Sequence, residues 1–351
     1  MRNILIIGGT GSWGQELTKQ ILDNKNIEQI KIYSRGEHRQ VEMKRKFNDS
    51  RLKFIIGDIR DYTKLKDISK DVDHIFHLAA LKHVPVCESH PQEAVKTNIN
   101  GTINAVNAAK ENKIDNFVLI STDKAVDPIN VYGVSKSMAE KIVINANINS
   151  LHTKFVCVRG GNVLGTNGSV VPLFKQQIMK ANEVTITDKN MTRFLMRLKD
   201  AISLIFKAVI DSKGGEIFVM KMPSIKIIKL ANVMINELGN KSTTIKTIGI
   251  RPGEKIDEVL VSRYEAKRAF EYGDYYIVLP NTNIHRVYDY WGKKKYIDKE
   301  YNSRNNQMLD ENEIKKLLKS EKWLNKRKIT DLQQYSKEEL LEYFKREKWT
   351  I

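Results

Sequence analysis

Short apolar runs alternate with amphipathic stretches along the first 160 residues of this chain. The runs fall at 3–7, 29–33, 52–57, 73–78, 116–120 and 154–158, each short and flanked by polar or glycine positions, which predicts strands. Between them the apolar positions recur at helical spacing, at about 12–24, 36–48, 61–70, 91–113 and 130–149. Strand, helix, strand with short connections predicts an α/β fold: a doubly wound parallel sheet with helices on both faces. Past 160 the alternation loosens. Helices are predicted near 170–181, 199–210 and 225–238, and short strands near 183–187, 216–220 and 244–248. The pattern divides the chain into 1–160, a smaller α/β lobe at 161–282 interleaved with it, and a C-terminal extension at 283–351. In that extension a helix at 337–348 opens on a Ser336/Glu339 capping box. No internal repeat and no low-complexity segment is present.

Composition narrows the class. A chain of 351 residues can bury a large core. No apolar run approaches the roughly 20 residues that cross a bilayer. The first apolar segment is too short for a signal sequence and leads straight into a glycine loop, so it reads as a strand. Two cysteines, Cys87 and Cys157, make no disulfide framework and fit a reducing, cytoplasmic setting. The net charge of +17 raises nucleic-acid binding. The lysines are spread along the chain among acidic residues, and the longest basic runs, at 293–295 and 326–328, are short, so nucleic acid is not the expected partner. His83, Cys87 and His90 are close in sequence, yet Pro85 and Pro91 interrupt them and no fourth ligand has metal-site spacing; no metal is expected.

The candidate chemistry begins at Gly8-Gly-Thr10-Gly11-Ser12-Trp13-Gly14, which follows the first strand and opens the first helix. Gly8 and Gly11 allow a tight turn and close approach to a pyrophosphate, Gly14 allows close helix–strand packing, and the helix N-terminus supplies N–H donors. A dinucleotide is the expected cofactor. Where an NAD site usually carries a carboxylate, about 20 residues past the glycines, this chain has Ser34 and Arg35, with Arg39 one turn on. A hydroxyl and guanidinium groups favour a 2′-phosphate, hence NADP; Arg39 reads equally well as a solvated helix-start residue. Asp58 follows the third strand, and the fourth leads into Leu78-Ala79-Ala80-Leu-Lys82, small enough for a ligand to reach the backbone.

The fifth run ends in Ser121-Thr122-Asp123-Lys124, and eight residues later Tyr132 and Lys136 stand four apart on one helix face. Ligands of such sheets bind beyond the carboxyl ends of the strands. A Tyr beside a Lys suits proton exchange with a substrate hydroxyl, the ammonium favouring the phenolate. That much makes a dehydrogenase. Asp123 and Lys124 add a second acid–base pair, suited to an elimination once a sugar C4 is a ketone: a base takes the C5 proton, an acid protonates the departing C6 hydroxyl, and hydride returns to C6.

These segments resemble the extended short-chain dehydrogenase/reductase superfamily, with its Rossmann fold. Further segments narrow the likeness: Tyr33-Ser-Arg35, Gly57-Asp58, Ala79-Ala-Leu-Lys-His-Val-Pro85, Gly168-Ser-Val-Val-Pro172, Met191-Thr-Arg-Phe194 and Arg251-Pro-Gly-Glu-Lys255. Together they resemble the inverting UDP-N-acetylglucosamine 4,6-dehydratases (4,6-dehydratase/5-epimerases) of polysaccharide biosynthesis. The likeness runs from residue 1 to about 280. The resemblance implies Lys124 as the C5 base, Asp123 as the acid at C6, and Tyr132, aided by Lys136, as the base at the C4 hydroxyl. It implies NADP on Thr10–Trp13, Ser34–Arg39, Asp58, Ile59 and Lys82. It implies the UDP-sugar on Ser121, Thr122, Asn162, Val170, Arg193, Arg251 and Glu254, and it implies a homo-oligomer. Two departures stand out. Arg159-Gly160-Gly161-Asn162 replaces the usual Arg-Tyr-Gly-Asn, and Thr166-Asn167-Gly168 replaces Ser-Arg-Gly. Both bear on sugar specificity and loop motion. Some relatives carry Met in place of Tyr132; this chain keeps the Tyr. A retaining dehydratase, a UDP-sugar 4-epimerase and a non-catalytic NADP-binding scaffold are the alternatives.

Overall fold

The computed structural model describes residues 2–325 apart from 167 and 283, so the helix expected at 337–348 lies outside the described residues. Six strands, β1 (Asn3–Ile7), β2 (Gln29–Ser34), β3 (Leu52–Ile56), β4 (His74–His77), β5 (Asn116–Thr122) and β6 (Lys154–Gly160), run parallel in the order β6-β5-β4-β1-β2-β3. In the central strands β1, β5 and β6 the apolar runs are nearly continuous because both faces are covered. Leu5 and Ile7 face one core with Phe117 and Phe155; Ile4 and Ile6 face the other with Val118 and Val156. The chain lays down β1, β2 and β3 in one direction, then returns to place β4 on the far side of β1. That reversal opens a crevice above the carboxyl ends of β1 and β4.

The sheet continues past β6. Ile217–Met220 adds in parallel, and the hairpin Ala269–Tyr272/Tyr275–Val278 completes nine strands. The hairpin turns on Gly273, at φ +58°, followed by Asp274. It was not foreseen, because its short runs carry no helix between them to mark the period.

The helix expected at 91–113 is three pieces: Pro91–Ala94, a wide π turn at Val95–Asn100, and Gly101–Glu111. Gly101 lets the last piece press on Ile59, whose Cγ2 a Cβ there would meet at 2.7 Å. The second lobe holds a small sheet of Asn162–Val163, Thr192–Met196 and Ser224–Lys226. Its helices Val170–Ala181, Ile227–Leu238 and Glu311–Ser320 enclose Phe174, Leu230, Met234, Ile314 and Leu318. Tyr301–Asn302 pairs antiparallel with Val259–Val261, so the chain beyond 283 is woven into the fold.

Candidate active site

A cleft of about 960 Å³ lies over the strand ends. Its floor is the glycine loop. Gly8 has φ +82°, and a Cβ there would sit 2.6 Å from Ala79 N; one on Gly14 would sit 2.3 Å from Gly9 O. The first helix, α1 (Ser12–Leu22), starts with no side-chain cap and no acidic residue in its first turn. Its N-terminal N–H groups therefore face the cleft with a favourable dipole for an anion. Gly8, Thr10, Gly11, Ser12, Trp13 and Gly14 all line the cleft.

One arm runs past the end of β2. Ser34, Arg35, Arg39, Asp58, Ile59, Ala79, Ala80 and Lys82 line it. The buried Gln40 holds this turn, donating from Nε2 to Ser34 Oγ at 2.9 Å and to the carbonyls of Ser34 and Ile55. Arg35 Nη1 lies 3.8 Å from Asp58 Oδ2. Asn98, at the π turn, accepts from Leu81 N at 2.8 Å and donates to Leu81 O and Ser135 Oγ, both at 2.9 Å. It thus ties the cleft wall to the helix Val131–Asn145 that carries Tyr132. Neither Gln40 nor Asn98 was picked out in the sequence; each lies in a plain helical pattern, and its role comes from contacts distant in sequence.

The other end holds the proton-moving groups. β5 ends in a 3₁₀ turn, Asp123–Ala125, and Asn130 caps the following helix by accepting from Gly133 N at 2.7 Å. Gly133 is obligatory here, since its Cβ would lie 2.2 Å from Lys124 O. The turn and the helix start are thereby pressed together. Asp123 is buried; its Oδ1 accepts from Thr122 Oγ1 at 2.7 Å and from Lys124 Nζ at 3.1 Å. Lys124 also reaches Glu258 Oε1 at 3.3 Å. Burial acts to lower the Lys124 pKa, but the carboxylates of Asp123 and Glu258 outweigh it and raise it.

Tyr132 and Lys136 share a helix face, as their spacing requires, yet Lys136 Nζ donates to Ile120 O at 2.8 Å. Burial brings the Lys136 pKa down to about 8. Burial pushes the Tyr132 phenol up to about 12, opposed by the charge of Lys124. This differs from the expectation of a lowered Tyr132 pKa: desolvation outweighs the nearby ammonium.

Ser121, Thr122 and Asn162 line the same cleft, and Ser121 Oγ, Asp123 Oδ2 and Asn162 Oδ1 are buried without a hydrogen-bond partner among the described residues. Buried polar atoms are normally satisfied; with Ser169 Oγ, four such orphans surround one cleft, an arrangement suited to receiving a ligand. Val170, Arg193, Arg251 and Glu254 do not line it. The Arg193 guanidinium is taken up by the carbonyls of Thr192, Lys255 and Ile256 and by Glu258. Arg251 is half exposed, 4.0 Å from Glu254, on a loop tied to the helix cap by Asn130 Nδ2 donating to Gly253 O at 2.8 Å. The departure at position 160 has a partner. A Cβ on Gly160 would lie 2.8 Å from Cη2 and 3.1 Å from Cζ2 of Trp13, whose indole packs on both cores of the main sheet. Asn167 is outside the described residues. Among the described residues no group of three His, Cys, Asp or Glu side chains is placed to hold a metal ion.

Comparison with known proteins points the same way as these segments. An inverting UDP-N-acetylglucosamine 4,6-dehydratase of Campylobacter jejuni is 42% identical over 81% of this chain and 84% of its own. A UDP-glucose 4-epimerase of Rickettsia bellii is 42% identical over 90% of this chain and 95% of its own. The crystal structure of Pen from Bacillus thuringiensis, 36% identical, superposes with a TM-score of 0.84 over 91% of this chain and 98% of that one. A family model described as "Polysaccharide biosynthesis protein" matches residues 4–280. With the glycine loop, the Tyr132/Lys136 helix and the doubly wound sheet in place, the chain belongs to this polysaccharide biosynthesis family of extended short-chain dehydrogenases/reductases, the group that includes the inverting UDP-N-acetylglucosamine 4,6-dehydratases.

Proposed function

We propose that this protein is a lyase that dehydrates UDP-N-acetylglucosamine across C4 to C6 with inversion at C5. The product is UDP-2-acetamido-2,6-dideoxy-β-L-arabino-hex-4-ulose, a precursor for surface glycans. The observation that carries the reading is the Asp123–Lys124 ion pair beside Tyr132 in one cleft. Hydride exchange alone needs Tyr132 and Lys136; the second acid–base pair has a task only when an elimination lies inside the redox cycle.

The cleft fits a nicotinamide dinucleotide: an uncapped helix N-terminus, a cradle that side chains on Gly8 or Gly14 would fill, and small residues at Ala79 and Ala80. When bound, the cofactor supplies an electron-pair acceptor at C4 and gives the pair back at C6, ending unchanged. Ser34 as the last residue of β2, where a carboxylate would hold a ribose 2′-hydroxyl, with Arg35 and Arg39 beyond it, supports NADP. Tyr132 takes the proton of the C4 hydroxyl. Lys124 then takes the C5 proton, which the C4 ketone has acidified, Asp123 protonates the C6 hydroxyl as it leaves as water, and after the pair returns to C6 a proton adds to C5 from the opposite face, which inverts it. Ser121 and Asn162 have polar atoms free to receive the sugar, and Thr122 lines the cleft beside them. Arg251 and Glu254, from their loop, reach the nucleotide end in this reading. No described helix is long and apolar enough to cross a membrane, and both cysteines are buried and free, which supports a cytoplasmic site of action.

A UDP-sugar 4-epimerase is the second reading, favoured by the name of the Rickettsia relative. The test is the product formed from UDP-N-acetylglucosamine in deuterated water, read by NMR. Deuterium at C5 in a 4-keto-6-deoxy sugar of L-arabino configuration is expected. An unchanged C5 sinks inversion, and a sugar that keeps its C6 hydroxyl sinks dehydration. Lys124→Ala is expected to bind NADP normally and to lose dehydration.

A further inference from the structure

Glu258 is the carboxylate that no motif announced. It is buried and does not line the cleft. Its Oε1 lies 3.3 Å from Lys124 Nζ and 3.5 Å from Arg193 Nε, and its Oε2 has no hydrogen-bond partner among the described residues. Its backbone is fixed on both sides by Ser303: Glu258 N–H donates to Ser303 Oγ at 2.9 Å, and Ser303 N–H donates to Glu258 O at 2.8 Å. Burying a carboxylate is costly unless cations or hydrogen bonds compensate. Here two cations do so, and one of them is the expected base.

Asp123, Lys124, Arg193 and Glu258 together carry two charges of each sign. In the dehydratase reading Lys124 must act without its extra proton and Asp123 with one. A single proton transfer across the 3.1 Å contact makes both forms: the ammonium becomes an amine, the carboxylate becomes an acid, and the net charge of the buried group is unchanged. The neutral amine is then no longer drawn to Asp123 by charge. It keeps two N–H donors and one lone pair. A carboxylate behind it that accepts one N–H keeps that lone pair turned toward the cleft.

We propose that Glu258 is a positioning residue for Lys124: from behind the cleft wall it fixes the amine so that its lone pair meets the C5 proton. The proposal rests on the dehydratase reading. It is tested by comparing wild type, Lys124→Ala, Glu258→Gln and Glu258→Ala with UDP-N-acetylglucosamine and NADP. Glu258→Ala is expected to lose about a hundredfold in kcat, the scale that a misplacement of about 1 Å costs. Glu258→Gln, which keeps the volume and an acceptor oxygen, falls between it and wild type. KM and calorimetric NADP affinity stay within about twofold of wild type, because Glu258 does not line the cleft. The distinguishing signature is spectroscopic. Both Glu258 variants, like Lys124→Ala, oxidise C4 and stall, so reduced-nicotinamide absorbance builds up where wild type shows none. Variants that turn over normally overturn the role of Glu258. So do variants that lose NADP binding and melting temperature together, since that marks a purely structural residue. A wild type that forms no 4-keto-6-deoxy sugar overturns the dehydratase reading itself.

Discussion

Position 160 holds the smallest side chain next to the largest. The indole of Trp13 fills the room a side chain at Gly160 would need, so the two positions constrain each other. Even a methyl group there must displace a ring held between two packed cores. Gly160→Ala is expected to weaken NADP binding about tenfold, measured by calorimetry. In a Trp13→Phe background, which lacks Cη2 and Cζ2, the same change costs much less; such coupling is what neighbours in contact show. Independent, multiplying effects of the two substitutions would sink this pairing. The grouping of Asp123, Lys124, Tyr132 and Lys136 was legible because they lie within one turn and one helix start, where spacing alone sets geometry. Glu258 was not, because it reaches Lys124 only through the fold, from a segment whose motif drew attention to Arg251 and Glu254 instead.

Among the elements, β4 carries the clearest acid liability. Burial pushes the His77 pKa down to about 3, with the charge of Lys136 adding, and burial takes His74 down to about 4. The unfolded chain binds these protons near 6.5, the folded one only far below. The associated stability is therefore fully present above about pH 6.5 and is lost as pH falls toward the folded values. The melting temperature is expected to drop steadily between about pH 6.5 and 4, with a shallower slope in His77→Asn. A flat profile across that window contradicts the assignment. The strands flanking β4 were readable from their period because each is buried on both faces. The helix at 91–113 read as continuous because a π turn leaves the apolar pattern nearly intact while turning Asn98 toward the cleft wall. Strand Thr192–Met196, buried throughout, was hidden inside a segment that reads as a binding motif.

At the scale of the whole molecule, several apolar side chains stand exposed among the described residues. Val134 and Met138 share a face of the Tyr132 helix and are about half exposed; Ile103, on the adjoining helix Gly101–Glu111, is exposed as well. The homo-oligomer that the sequence resemblance implies can be tested on this face. Val134→Glu with Met138→Glu is expected to shift the light-scattering mass to the monomer; a wild type that is already monomeric refutes it. The two main cores were foreseeable from the six apolar runs, but the way the chain past 217 returns to the first sheet was not, since only long-range pairing with β6 decides it.

The pairing of Tyr301–Asn302 with Val259–Val261 also sets an order of events. A ribosome delivers the glycine loop long before Ser303. The cradle for the dinucleotide can thus assemble on a nascent chain long before the clamp behind Lys124 exists. Under the dehydratase proposal, emerging protein would hold its cofactor while still unable to eliminate water, and the pairing of Tyr301–Asn302 would switch the chemistry on.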